Sequence, residues 1–171
     1  MPKLFRALLK KNKWFWDGPL PWLEPGDIPA DPLEHLIPNQ FRLSVYEVND
    51  DRSRIERVAA AIAAKRPGDI DNVEFVVFDQ SILDEVGIQI DTAAPGDTCD
   101  AEVNIWHRDM INISANKLVA FAKRIVPTVQ SDWVLAKKIH EVILESIRMS
   151  RYEWSKVNLK KKAKLQQEAL Q

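Results

Sequence analysis

Five carboxylates and a histidine follow one another through the middle of this 171-residue chain, and together they could support metal-assisted hydrolysis. Asp79 closes the apolar run Val73, Phe75, Val76, Val77, Phe78; Asp91, Asp97, Asp100 and Glu102 follow, and then His107. An acid at the carboxyl end of a strand lies at the edge where open α/β sheets bind ligands, so Asp79 is a candidate catalytic group that could hold a metal or activate a water. Asp79, Asp97, Asp100 and Glu102, with Asp91 nearby, supply enough hard oxygen donors for a divalent cation if they converge. His107 is a candidate general base or metal ligand beside that acidic loop. Each has a plainer reading. Asp79 is placed to cap a helix carrying Ile82, Leu83 and Val86 with Gly87 as its stop, and His107 reads as a partly exposed helical residue between Trp106 and Arg108.

The stretch VVFDQSIL resembles the opening strand and acid of the PIN-domain nucleases over eight residues. That resemblance implies a metal-binding role for Asp79, although in the family this strand lies near the start of its domain and here a β-α-β pattern precedes it. WHRDM contains the tripeptide of a kinase catalytic loop, but the chain has no glycine-rich phosphate loop and no DFG, which excludes that chemistry. Cys99 is the single cysteine, so no intramolecular disulfide and no cysteine zinc site can form within one chain. On a shared helix it would lie about 12 Å from His107, too far for a thiolate-imidazolium pair. His35 and His140 have no acid or second histidine at metal-binding spacing.

Binding chemistry concentrates at the two ends. SRYEWSKVNLKKKAK interleaves Tyr152 and Trp154 with cations, and Lys160, Lys161, Lys162 and Lys164 are candidate contacts to nucleic-acid phosphates. At the other end Trp14, Phe15, Trp16 and Trp22 put three of the six tryptophans into nine residues; with Trp154 they are the candidate partner-binding side chains. Residues 1–13 and 148–171 each carry +5, which leaves −11 for residues 14–147 out of a net −1. An acidic body with two basic ends can engage an acidic partner or fold its ends back on itself.

The elements that must position these groups read as a small α/β or α+β domain with a two- to three-stranded sheet. Residues 1–40 form a Trp/Pro-rich N-terminal arm, 41–150 a single α/β core, and 151–171 a basic C-terminal helical extension. Within the arm, Phe5, Leu8 and Leu9 have helical spacing over residues 3–16, and six prolines between Gly18 and Pro38 favour extended chain. FRLSVYEV alternates as a half-buried strand, Ser53 and Glu56 have capping-box spacing at the head of a helix over 53–66, and Val73 to Phe78 reads as the central strand; 41–78 is thus a β-α-β unit. IQID predicts a short third strand. Val103, Trp106, Met110 and Ile113 have helical spacing, Ser114 caps a further helix ended by Pro127, and another begins near Thr128 or Ser131 with Trp133, Ile139, Ile143 and Ile147 as its stripe.

A hydrophobic content of 46% suffices for a core. No apolar run is long enough to span a bilayer and the N-terminus lacks a signal pattern, so a cytoplasmic protein is expected. The expected function is a non-catalytic interaction or regulatory module, without cofactor, that binds a protein partner or a second copy of itself. The alternatives are a nucleic-acid-binding accessory protein using the C-terminal lysines, and a metal-dependent hydrolase or nuclease centred on Asp79.

Overall fold

The computed structural model describes residues 2–8, 27, 36, 42–127 and 132–170. At its centre is a strand that helical spacing had disguised. Lys3–Ala7 forms β1, antiparallel to β2 (Leu43–Glu47) on one side and to β3 (Val73–Asp79) on the other. Leu4 and Phe5, successive and on opposite faces, are both fully buried. A strand covered on both faces needs apolar residues at every position, so alternation is lost and an i, i+3, i+4 coincidence reads as a helix. The expected helix over 3–16 is therefore corrected at its described part, and the chain's N-terminal residues belong to the core sheet.

The sheet has six strands in the order β4-β5-β2-β1-β3-β6, with β4 at Gln89–Asp91, β5 at His107–Ile111 and β6 at Asp132–Val134; every pairing is antiparallel. The α/β class holds, but the two- to three-stranded sheet does not. The missing strands are β1 and two of three to five residues, β5 and β6, that carry little local signal. Since β2 and β3 both run antiparallel to β1, they are parallel to each other, and the helix α1 (Arg52–Lys65) that joins them crosses over an intervening strand. The expected β-α-β unit is thus a split one. β3 is buried on both faces as expected, yet it is second from an edge rather than central; burial on two faces reports the layers, not the position in the sheet.

Helices cover both faces. On one, Phe5, Tyr46, Val73 and Phe75 pack against α1 and against α5 (Ala136–Arg148), whose Ile139 and Ile143 are fully buried. The alanines Ala59, Ala60, Ala61, Ala63 and Ala64 of α1 are buried and let backbones approach closely. On the other face Leu4, Val45, Val76 and Phe78 meet Leu83 of α2 (Ser81–Glu85) and Phe121, Ala122 and Ile125 of α4 (Ala115–Ile125), with Phe78 and Phe121 edge to face at 5.2 Å.

Several ends are as read and several are not. Ser114 Oγ accepts from the Lys117 N–H, the expected cap of α4. Gly87, at φ +69°, stops α2: its N–H and that of Ile88 donate to the Asp84 and Leu83 carbonyls, the paired bonds of a glycine C-cap. The cap of α1 is Asp51, not Ser53, and its carboxylate accepts from the Ser53 N–H at 2.9 Å. The helix expected from Val103 onward ends at Trp106 as α3 (Ala101–Trp106), and the chain continues directly as β5, where Met110 is buried in the sheet. Asp132–Val134 pairs with β3 as an edge strand, which delays α5 to Ala136. Beyond Arg148 the chain turns back through a 3₁₀ turn at Trp154–Lys156 into α6 (Leu159–Ala169). Val157 and Leu165 are buried there, so this basic segment packs on the domain.

Candidate functional site

The acids of the middle region are distributed over strands, a loop and a helix start, each paired with a lysine or arginine. Register places Lys3 opposite Asp79, and Lys3 Nζ lies 3.1 Å from both carboxylate oxygens. The N-cap position of α2 belongs to Gln80, already helical, so Asp79 is not the cap the sequence suggests. Asp79 lines a shallow groove with Lys3, Asp50, Arg52 and Asp132, and Asp132 is taken by Arg52 at 2.5 Å. Asp91 and Asp109 share Arg42, whose Nη1 donates to them at 3.0 and 3.2 Å. Asp97 is paired with Lys65, whose ammonium holds its carboxyl below the usual range.

Asp100 is fully buried and is gripped by Arg57 through Nε and Nη2 at 2.7 and 2.8 Å, while the same guanidinium donates to Glu102 at 2.5 Å. Asp100 also caps α3, accepting from the Glu102 and Val103 N–H groups. The candidate ligands Asp79, Asp97, Asp100 and Glu102 therefore sit in three separate ion-pair groups. Among the described residues no group of three or more His, Cys, Asp or Glu could hold a metal ion.

His107 is buried at the start of β5, not exposed on a helix. Its Nδ1 faces the Ala94 carbonyl at 3.3 Å, its Nε2 lies 3.4 Å from Asp109 Oδ1, and its ring meets the edge of Tyr46. Ser44 Oγ donates to Asp109 rather than to the imidazole, so these residues do not form a nucleophile and base. Cys99 is fully buried, and burial pushes its thiol up to about 12, far from a thiolate at neutral pH.

The other concentration of function-bearing side chains is the surface of α5 and α6. Ile147 and Arg148 of α5 and Ala169 of α6, with Trp154 and Leu170, line an open apolar groove of about 600 Å³. Trp154 is half-buried, and Leu170 and Met149 are 90% and 52% exposed. At the other end of the same two helices lies a cleft walled by Lys137, His140, Lys160, Lys161 and Lys164. Of the four lysines expected to meet nucleic acid, Lys161 is buried and donates to the Ala63 and Arg66 carbonyls at 2.5 and 2.9 Å, closing the end of α1. Lys160 and Lys164 are exposed and Lys162 is half-buried. Trp14, Phe15, Trp16 and Trp22 of the expected partner-binding set lie outside the described residues, as does His35.

His140 has no acid or second histidine at metal-binding spacing, and Lys137 carries no motif, so the sequence alone does not single either out. The one available signal was the lysine pair Lys137–Lys138 opening a helix with no acid in its first turn. No family model matches the chain, and neither a curated protein nor a solved structure matches it.

Proposed function

We propose that this chain is a non-catalytic interaction module that holds a protein partner through the groove between the C-terminal ends of α5 and α6. The observation that carries this reading is Leu170, nine-tenths exposed on the wall of an apolar groove that also presents Ile147 and Trp154. Large exposed apolar side chains around a concave patch are the usual anchor pocket of a protein interface. Arg148 is the one charged residue in that wall among the described residues, so the complementary segment carries an acid beside its apolar side chains. The non-catalytic part is supported by the pairing of Asp79, Asp91, Asp97, Asp100 and Glu102, each held by a lysine or arginine.

The test is selection of a peptide-display library on the full chain, with Leu170→Asp and Trp154→Ala as counter-targets. Enriched peptides should combine apolar residues with an acid and should lose binding to both variants. A selection in which no enriched peptide distinguishes the variants from the parent would refute the groove as the partner site.

A further inference from the structure

The N-terminal turns of α5 and α6 open onto one cleft of about 360 Å³. Lys137 and His140 come from the first helix, Lys160, Lys161 and Lys164 from the second, and among the described residues Asp69 supplies the only carboxylate of the wall. Neither helix has an acid in its first turn. A helix N-terminus already carries about half a positive charge, and acids normally gather there. Here two such ends are brought together with four lysines, one of which, Lys161, already donates to the Ala63 and Arg66 carbonyls.

Asp69 and Asp71 offset part of that charge at Lys161, and Glu168 offsets part of it at His140. Lys137 and Lys160 make no ion pair among the described residues, and Lys164 reaches Glu168 only at 3.9 Å. Glu168 is already 2.7 Å from His140 Nε2. The Lys161 ammonium cannot swing away, because the Ala63 and Arg66 carbonyls hold it. The first N–H of α5 is taken by Asn72 Oδ1 at 2.7 Å and that of Lys160 by Asn158 Oδ1 at 3.1 Å, so the ammonium groups and the field of the two helices are what the cleft offers.

We propose that this cleft binds the phosphoryl group of a small phosphorylated molecule. A phosphoryl dianion presents oxygens in several directions and so accepts from ammonium groups arriving from two helices at once, with charge-assisted hydrogen bonds. The volume lies in the range of about 300–1,000 Å³ typical of small-molecule sites. An extended nucleic acid is the poorer match. The cations converge in a concavity instead of forming a stripe, and residues 14–147, at −11, repel a long polyanion. This site is separate from the Trp154 groove, and either can fail without the other.

The experiment is a titration of the isotope-labelled full chain with inorganic phosphate, pyrophosphate, glycerol 3-phosphate and a single-stranded oligonucleotide, at constant ionic strength, read by backbone amide shifts. Pyrophosphate and the phosphate ester should give saturable shifts centred on residues 136–140 and 160–164. Lys137→Ala/Lys160→Ala, both exposed positions, should keep a dispersed spectrum and weaken binding by about tenfold or more. Lys123→Ala, exposed on α4, should change nothing. Absence of saturable shifts with every phosphate compound, or shifts unaltered by the double substitution, would overturn the proposal. So would oligonucleotide binding that is tighter and grows with length, which would assign the cleft to nucleic acid.

Discussion

Replacing Arg57 by methionine should destabilise this protein strongly, because its guanidinium is largely buried against Asp100. Asp100 has no exposure, and Arg57 meets both of its oxygens while retaining a third bond to Glu102. Removing one member of a buried pair leaves an uncompensated charge and costs about 3–5 kcal/mol. Two N–H groups of α3 still face the carboxylate, at 3.0 and 3.3 Å, and soften the loss. The guanidinium also lies 5.4 Å from the ring centroid of Trp106, a contact worth about 0.5–1 kcal/mol that disappears with it. Methionine keeps most of the packing volume, so the expected cost is about 3 kcal/mol.

Urea denaturation followed by circular dichroism measures this by linear extrapolation. The discriminating measurement is the cycle with Asp100→Asn, which keeps a cap acceptor but removes the charge. The double variant should be more stable than the sum of the single losses predicts, by at least about 2 kcal/mol. By comparison, Lys65→Met at the exposed pair with Asp97 should cost below about 1 kcal/mol. A cost for Arg57→Met below about 1 kcal/mol, or an additive cycle, would refute the view that a buried charge pair ties α1 to α3.

Three further outcomes follow from buried groups. Burial pushes the Cys99 thiol and the Tyr46 hydroxyl up to about 12, so folding favours their protonated forms. The stability they contribute is complete below their unfolded values, near 9 and 10, and is lost as pH rises toward 12. Thermal melts should therefore fall steeply above about pH 9, and iodoacetamide at pH 8 should label Cys99 only after denaturant is added; rapid labelling of the native protein would contradict its burial. Lys161→Met should release the end of α1 from α6 at a cost of about 1.5–3 kcal/mol, the range for hydrogen bonds to a charged donor, with faster amide exchange from residue 159 onward. An unchanged exchange pattern would show that Leu165 alone holds the helix.

The local grammar of this chain was written in its residues. The α1 pattern of Ile55, Val58, Ala59 and Ala63, the cap at Ser114, the stop at Gly87 and the buried run Val73–Phe78 depend on neighbours within a few positions, where periodicity and φ preferences act directly. Long-range pairing is not encoded at that distance. Lys3–Ala7 became the strand between β2 and β3 only because residues some forty and seventy positions away offered free edges on both sides, and this insertion turned a simple β-α-β unit into a split one.

The same limit governs the candidate chemistry. Asp79, Asp97, Asp100 and Glu102 are close in sequence and alike in type, so a shared metal was a natural reading. Their partners, Lys3, Lys65 and Arg57, arrive from β1 and α1, and it is the tertiary fold that divides the four carboxylates among three cations, Asp100 and Glu102 sharing Arg57. Conversely, Lys137 and His140 had no visible companion until α6 folded back beside α5. Charge composition is a property of the sequence, but the field at a site depends on distances between helices, which only the tertiary structure fixes.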